Sequence, residues 1–232
     1  MYIKTPEEFL SRFKVFEPQD HHYTGPLPNQ QPECNGSVFH HEGRILATLA
    51  YNLGGDVLET GADQGISTRY IHEGLEAWNN RPGATLASHI WSVDVLHKWG
   101  GADYPGIDPD WPLRYKINGD SGSFNLPGGG PYRWLQEDKS QGPFISCKWA
   151  FIDGDHRYRG VIRDIGAALR SGCTRMIFHD TADHIRKNPD NPTGGSDARD
   201  AVPEFFAGLP GWHLFDISTH CGMIYATCVD RE

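Results

Sequence analysis

The stretch "VLETGADQGISTRYI" (57–71) decides the fold. "DVLE" (56–59) reads as a short strand, and a glycine loop leads from it into a helix, "GISTRYIHEGLEAW" (65–78). Gly61 and Gly65 remove two side chains from this turn, so that backbone can approach another group closely. The turn is not the GxGxxG dinucleotide fingerprint. It also lacks the lysine of a phosphate-cradling loop. Glu59, at the end of the strand, would repel a phosphate and suits a cationic ligand.

The same alternation recurs on either side. Before the turn, "HEGRILATLAYNL" (41–53) places Ile45, Leu46, Leu49 and Leu53 at helical spacing. After it, strands are predicted at "HIWSVD" (89–94), "RYKING" (114–119), "KWAFID" (148–153) and "TRMIFHD" (174–180). "YRGVIRDIGAALRSG" (158–172) is predicted as a helix with Val161, Ile165, Ala168 and Leu169 on one face and Gly172 closing it. "YRWLQED" (132–138) is predicted as a short helix, and "ARDAVPEFFAGL" (198–209) as a helix kinked or broken at Pro203. "WHLFDIS" and "GMIYATC" read as a closing antiparallel hairpin. At the N-terminus, "TPEEF" (5–9) opens a short helix with Thr5 as cap and Glu8 completing a capping box. Strands alternating with helices imply a mostly parallel sheet covered on both faces. Ligands of such sheets bind at the carboxyl ends of the strands.

Those ends carry the chemistry. Glu59, Asp94, Asp120 just past the third strand, Asp153 and the pair His179-Asp180 would all line one edge. Unpaired, such groups cost several kcal/mol to bury, so they belong at the mouth of a site. Asp94 is placed to accept both hydroxyls of a ribose. A ribose acceptor, a glycine turn and an acid suited to a cation together describe a site for an adenosine linked to an amino acid. Asp155 reads as a turn or cap residue. His40 and His41 precede a helix, where surface or capping roles compete with lining the pocket.

The motif ExGxxxGxST at 59–68, Asp94 on the second strand and "GDS" (119–121) after the third resemble class I S-adenosylmethionine-dependent methyltransferases over roughly residues 40–228. "FIDGDHRYRGVIRDIGAAL" followed by "HDT" (179–181) is similar to the branch holding macrocin-type and rhamnosyl O-methyltransferases and cephalosporin hydroxylase-like proteins. The resemblance implies an α/β, Rossmann-like, doubly wound sheet of seven strands, mostly parallel, with the C-terminal strand antiparallel. It implies S-adenosylmethionine contacts at Glu59, Gly61, Gly65, Ser67, Thr68, Asp94, Asp120 and Ser121. It also implies a divalent metal, Mg²⁺ first, on Asp153, His179 and Asp180. Members of the branch carry Glu-Asp where this chain has His179-Asp180. His179 is therefore expected either as a nitrogen ligand, tilting the site toward Mn²⁺, Fe²⁺ or Zn²⁺, or as a packed core histidine. His156, three residues beyond Asp153, is expected as a neutral general base.

Composition bounds the alternatives. The 232 residues and the absence of a linker favour a single domain, 1–232, with an N-terminal helix and lid-like loop (1–38) before a cofactor-binding core (39–232). A net charge of −9 disfavours general nucleic-acid or anionic-membrane binding. No stretch approaches the ~20 apolar residues of a membrane span. Five cysteines without a CxxC suit a reducing cytoplasm. The expected activity is O-methylation of a small-molecule hydroxyl, a sugar or natural product, with oligomeric state open. The competing readings are a nicotinamide oxidoreductase, against which the missing GxGxxG counts, and a non-catalytic S-adenosylmethionine-binding module.

Overall fold

The computed structural model describes residues 1–18, 38–61, 66–83, 88–94, 114–118, 124–125, 131–132, 146–185 and 195–229. For 93–94, 114–118, 124–125 and 131–132 only the backbone is described. The strands are β1 (Tyr2–Ile3), β2 (Val57–Thr60), β3 (Ile90–Asp94), β4 (Arg114–Asn118), β5 (Phe124–Asn125), β6 (Pro131–Tyr132), β7 (Trp149–Ile152), β8 (Arg175–Phe178), β9 (Trp212–Ile217) and β10 (Met223–Cys228). The helices are α1 (Pro6–Leu10), α2 (His40–Leu53), α3 (Ile66–Asn79), α4 (Tyr158–Arg170) and α5 (Ala198–Ala207), with a 3₁₀ turn at Asp183–Ile185.

The main sheet has the order β1-β9-β10-β8-β7-β2-β3-β4. All seven expected strands are present, and only β10 runs against its neighbours β8 and β9. The eighth strand, β1, is a two-residue edge parallel to β9. Two residues carry no readable period, so the sequence holds no sign of it. β2 and β7 are the adjacent parallel strands at which the order reverses, with Glu59 opposite Phe151 and Thr60 opposite Ile152. The carboxyl ends of β2 and β7 thus lie side by side at the switch point.

Two apolar layers hold the sheet. On one face α2 supplies Ile45, Leu46, Leu49 and Leu53, with Ile71 and Leu75 of α3. On the other face α4 supplies Val161, Ile165 and Ala168, and α5 supplies Ala201, Val202 and Phe206. The helical stripes are thus buried as their spacing predicts. Gly172, at φ +82, follows the C-cap Ser171 of α4. Thr5 caps α1, accepting from the Glu8 amide at 3.1 Å.

Two expectations are corrected. Pro203 does not break its helix, since α5 continues through it to Ala207. Its neighbours Ala201, Val202 and Phe206 are buried in the core, and this burial offsets the missing backbone donor. Tyr132, expected to open a helix, pairs as a strand with Phe124. The remainder of that predicted helix lies outside the described residues, as does most of the lid-like loop.

Candidate active site

Gly61 is dictated by packing as well as by conformation. Its φ is +79, and a Cβ there would lie 2.0 Å from the carbonyl oxygen of Asp153. The turn after β2 therefore rests directly on the end of β7. Gly83 has φ +89, but a Cβ there would meet nothing within 4 Å. Gly61→Ala should lose roughly 1–2 kcal/mol for the left-handed backbone and more for the clash, whereas Gly83→Ala should lose the first part alone. Urea midpoints of the two variants check this, and equal losses would contradict the contact.

Behind the turn, Glu59 is fully buried. Its Oε1 accepts from Ser67 at 2.8 Å, and its Oε2 accepts from Thr68 at 2.8 Å and from the Ser92 hydroxyl. Three residues expected to contact the cofactor thus bind one another and tie β2, β3 and the first turn of α3 together. Thr60, at the turn itself, is buried with its Oγ1 making no hydrogen bond among the described residues. It is an open polar position beside Gly154 at the strand ends. Asp94 ends β3, in register with Asn118 of β4. Gly65, Asp120 and Ser121 lie outside the described residues.

At the ends of β7 and β8 the structure assembles an alternating row of acids and imidazoles. Asp153 Oδ1 lies 3.2 Å from His156 Nε2 and 3.2 Å from His179 Nδ1. Asp180 reaches both rings, with Oδ2 3.2 Å from His156 Nδ1 and Oδ1 3.2 Å from His179 Nδ1. His179 Nε2 points the other way, 3.1 Å from Glu42 Oε2. Glu42 is completely buried and also accepts the amides of Phe39 and Cys221, each at 2.9 Å. Asp180 has φ 56, the only positive φ of a non-glycine among the described residues. A strained backbone of this kind costs on the order of 1–3 kcal/mol and clusters at functional sites.

The His179 side chain is wholly buried, and His156 is the histidine on the open side, about a third exposed. The cation-competent trio that faces outward is therefore Asp153, His156 and Asp180, whose ligand atoms lie within 4.8 Å of one another. Two carboxylates and an imidazole suit a divalent cation. Asp155 takes the turn role expected of it, accepting the Arg157 amide at 3.1 Å and pairing with its guanidinium at 2.7 Å. His40 bonds the Tyr70 hydroxyl at 3.2 Å, and His41 lies 4.0 Å from Glu42.

Burial alone would raise the Asp153 pKa, but the two adjacent rings outweigh it and hold the carboxyl at about 2. Burial alone would lower that of His156, but the hydrogen bond to Asp153 and the charge of Asp180 outweigh it and push the ring up to about 9. The expectation of a neutral resting imidazole is thus corrected: flanked by two carboxylates, His156 rests as imidazolium at neutral pH. Its raised value makes its contribution to stability full below the unfolded value of ~6.5 and lost as pH rises through about 9. In chelator-treated protein, a ¹⁵N titration should find the His156 ring changing state near pH 9. A midpoint at an ordinary histidine value would contradict the two-carboxylate geometry.

No protein-family model matches the sequence, and no curated protein matches it. Solved structures do resemble it in shape. The O-methyltransferase of Bacillus cereus in complex with SAH aligns at a TM-score of 0.55 with 16% identity, over 95% of this chain and 96% of the other. The O-methyltransferase TomG from Streptomyces achromogenes, involved in tomaymycin synthesis and bound to SAM, aligns at 0.54 with 14% identity, over 82% and 81%. At such identities the likeness is one of fold: the chain has the Rossmann-like α/β architecture seen in these methyltransferases.

Proposed function

We propose that the protein is an S-adenosylmethionine-dependent O-methyltransferase acting on a hydroxyl of a small molecule. The observation that carries this reading is the contact between Gly61 and the Asp153 carbonyl. It joins the glycine turn after β2 to a polar acid–imidazole cluster at the switch point of the sheet. The buried Thr60 hydroxyl at the same turn, without a partner among the described residues, offers a hydrogen bond to a bound cofactor. In this proposal Asp94 accepts from the ribose, Gly61 seats the turn on the end of β7, Gly65 lets the amino-acid end approach, and Asp120 and Ser121 lie near the adenine. Glu59, Ser67 and Thr68 hold the turn in shape.

The sulfonium already activates the methyl group, so the protein has to orient the acceptor oxygen and remove its proton. His156 is the group proposed to take that proton once it has released its own. Asp153 then stabilises the imidazolium that forms, as a buried carboxylate does in a catalytic triad. Asp153 and Asp180 offer carboxylate oxygens that could hold a divalent cation, which when bound would acidify an acceptor hydroxyl while His156 stays free to take its proton. The test is transfer of an isotope-labelled methyl group from S-adenosylmethionine to a pool of hydroxylated small molecules, followed by mass spectrometry. A labelled ether product supports the proposal; label on nitrogen or carbon alone, or no label, counts against it.

A further inference from the structure

Behind the outward-facing trio lies a second constellation. We propose that Glu42, His179 and Cys221 form an inner metal site for a borderline divalent transition ion of the Zn²⁺ type. Their ligand atoms, one carboxylate oxygen, one imidazole nitrogen and one thiol sulfur, lie within 4.8 Å of one another. Glu42 Oε2 and His179 Nε2 are 3.1 Å apart, close to the roughly 3.3 Å edge of a tetrahedron with ~2.0 Å metal bonds. The three residues come from the first turn of α2, the end of β8 and the β9–β10 turn, so three elements of the core fix their positions.

The surroundings already orient these ligands. His179 Nδ1 is held at 3.2 Å by Asp153 Oδ1, leaving Nε2 to face Glu42. A carboxylate on the far nitrogen is the usual partner of a metal-binding imidazole, fixing its tautomer and raising its basicity. The carboxylate of Glu42 is aimed by the Phe39 and Cys221 amides. Cys221 is half-buried, giving the inner group a route to solvent. His41 and His220 stand at the same mouth, with the His220 amide 3.3 Å from His41 Nε2. His184 packs on His220 with ring centroids 5.6 Å apart.

Donor softness separates the two sites. A thiolate and an imidazole select Zn²⁺ and its neighbours over Mg²⁺ or Ca²⁺, whereas the outer trio is richer in oxygen. On binding, the ion takes the place of the proton between His179 and Glu42, and the Cys221 thiol proton leaves to solvent. His179 then spans the two sites, with Nε2 on the inner ion and Nδ1 against Asp153.

Full-length protein stripped with chelator and titrated with Co²⁺ tests this. One equivalent should give a thiolate-to-cobalt charge-transfer band in the near ultraviolet, discharged by Zn²⁺. Cys221→Ser should abolish the band and weaken Zn²⁺ binding by roughly tenfold or more. His156→Ala, confined to the outer trio, should keep it. Absence of the band in the unaltered protein overturns the proposal. So does a band that survives Cys221→Ser, since the ion would then sit on another thiol. Loss of the band in folded His156→Ala would also overturn it, by showing a single shared site.

Discussion

Glu42→Ala should destabilise the metal-free protein by about 3–5 kcal/mol. Glu42 and His179 are both fully buried and meet at 3.1 Å. Burial alone would hold the Glu42 carboxyl high and the His179 ring low. Their mutual attraction outweighs burial and moves Glu42 down, while Asp153 and Glu42 together raise His179 well above an ordinary histidine. Removing the glutamate leaves His179 Nε2 without its carboxylate partner and frees the amides of Phe39 and Cys221. The start of α2 then loses one of its ties to the β9–β10 turn. For a chain of this size each kcal/mol shifts the melting midpoint by roughly 2–4 °C, so the expected drop is on the order of 10 °C. Glu42→Gln, which retains an acceptor for the amides, should lose less. Melting curves in chelator decide it, and a loss below ~0.5 kcal/mol for Glu42→Ala would show that the buried pair is not charged.

His156→Ala should lower methyl-transfer turnover by ~10²–10⁴-fold, the worth of a positioned general base, with cofactor affinity unchanged. The His156 ring makes its contacts with Asp153 and Asp180. Its carbonyl, which accepts the Asp197 amide at 2.8 Å, remains in the variant. The helix that follows keeps its start, because the Tyr158 amide is capped by Asp197 at 2.9 Å. The effect should therefore appear in turnover per folded molecule, alongside a lowered melting point, because Asp153 and Asp180 lose the ring that stands between them. Single-turnover rates and thermal melts on the same preparation separate the two. Unchanged turnover with a lowered melting point would make His156 a packing residue.

The strands and helices are legible because their apolar residues keep the periods of buried elements. Ile45, Leu46, Leu49 and Leu53 are buried where a 3.6-residue period puts them, and the seven main strands fall on short apolar runs. Pro203 misleads because a local rule is outweighed by burial of its neighbours. Glu42 escapes notice for the opposite reason. An acid in the first turn of a helix looks like a capping residue, and it does accept the amide of the N-cap residue Phe39. The signal is its place on the stripe of Ile45, Leu46, Leu49 and Leu53, where a carboxylate faces the interior and needs a partner there. That partner, His179, lies 137 residues away, a distance no local pattern spans. The resting charge of His156 is hidden similarly, because it depends on Asp180 arriving from the neighbouring strand.

Calorimetry with S-adenosylhomocysteine tests the central claim most directly, since it asks about the cofactor site without needing the acceptor. The account predicts saturable one-to-one binding, weakened roughly tenfold or more by Asp94→Ala through loss of a charge-assisted hydrogen bond, and no comparable binding of a nicotinamide dinucleotide. Absence of S-adenosylhomocysteine binding to the unaltered, folded protein would contradict it.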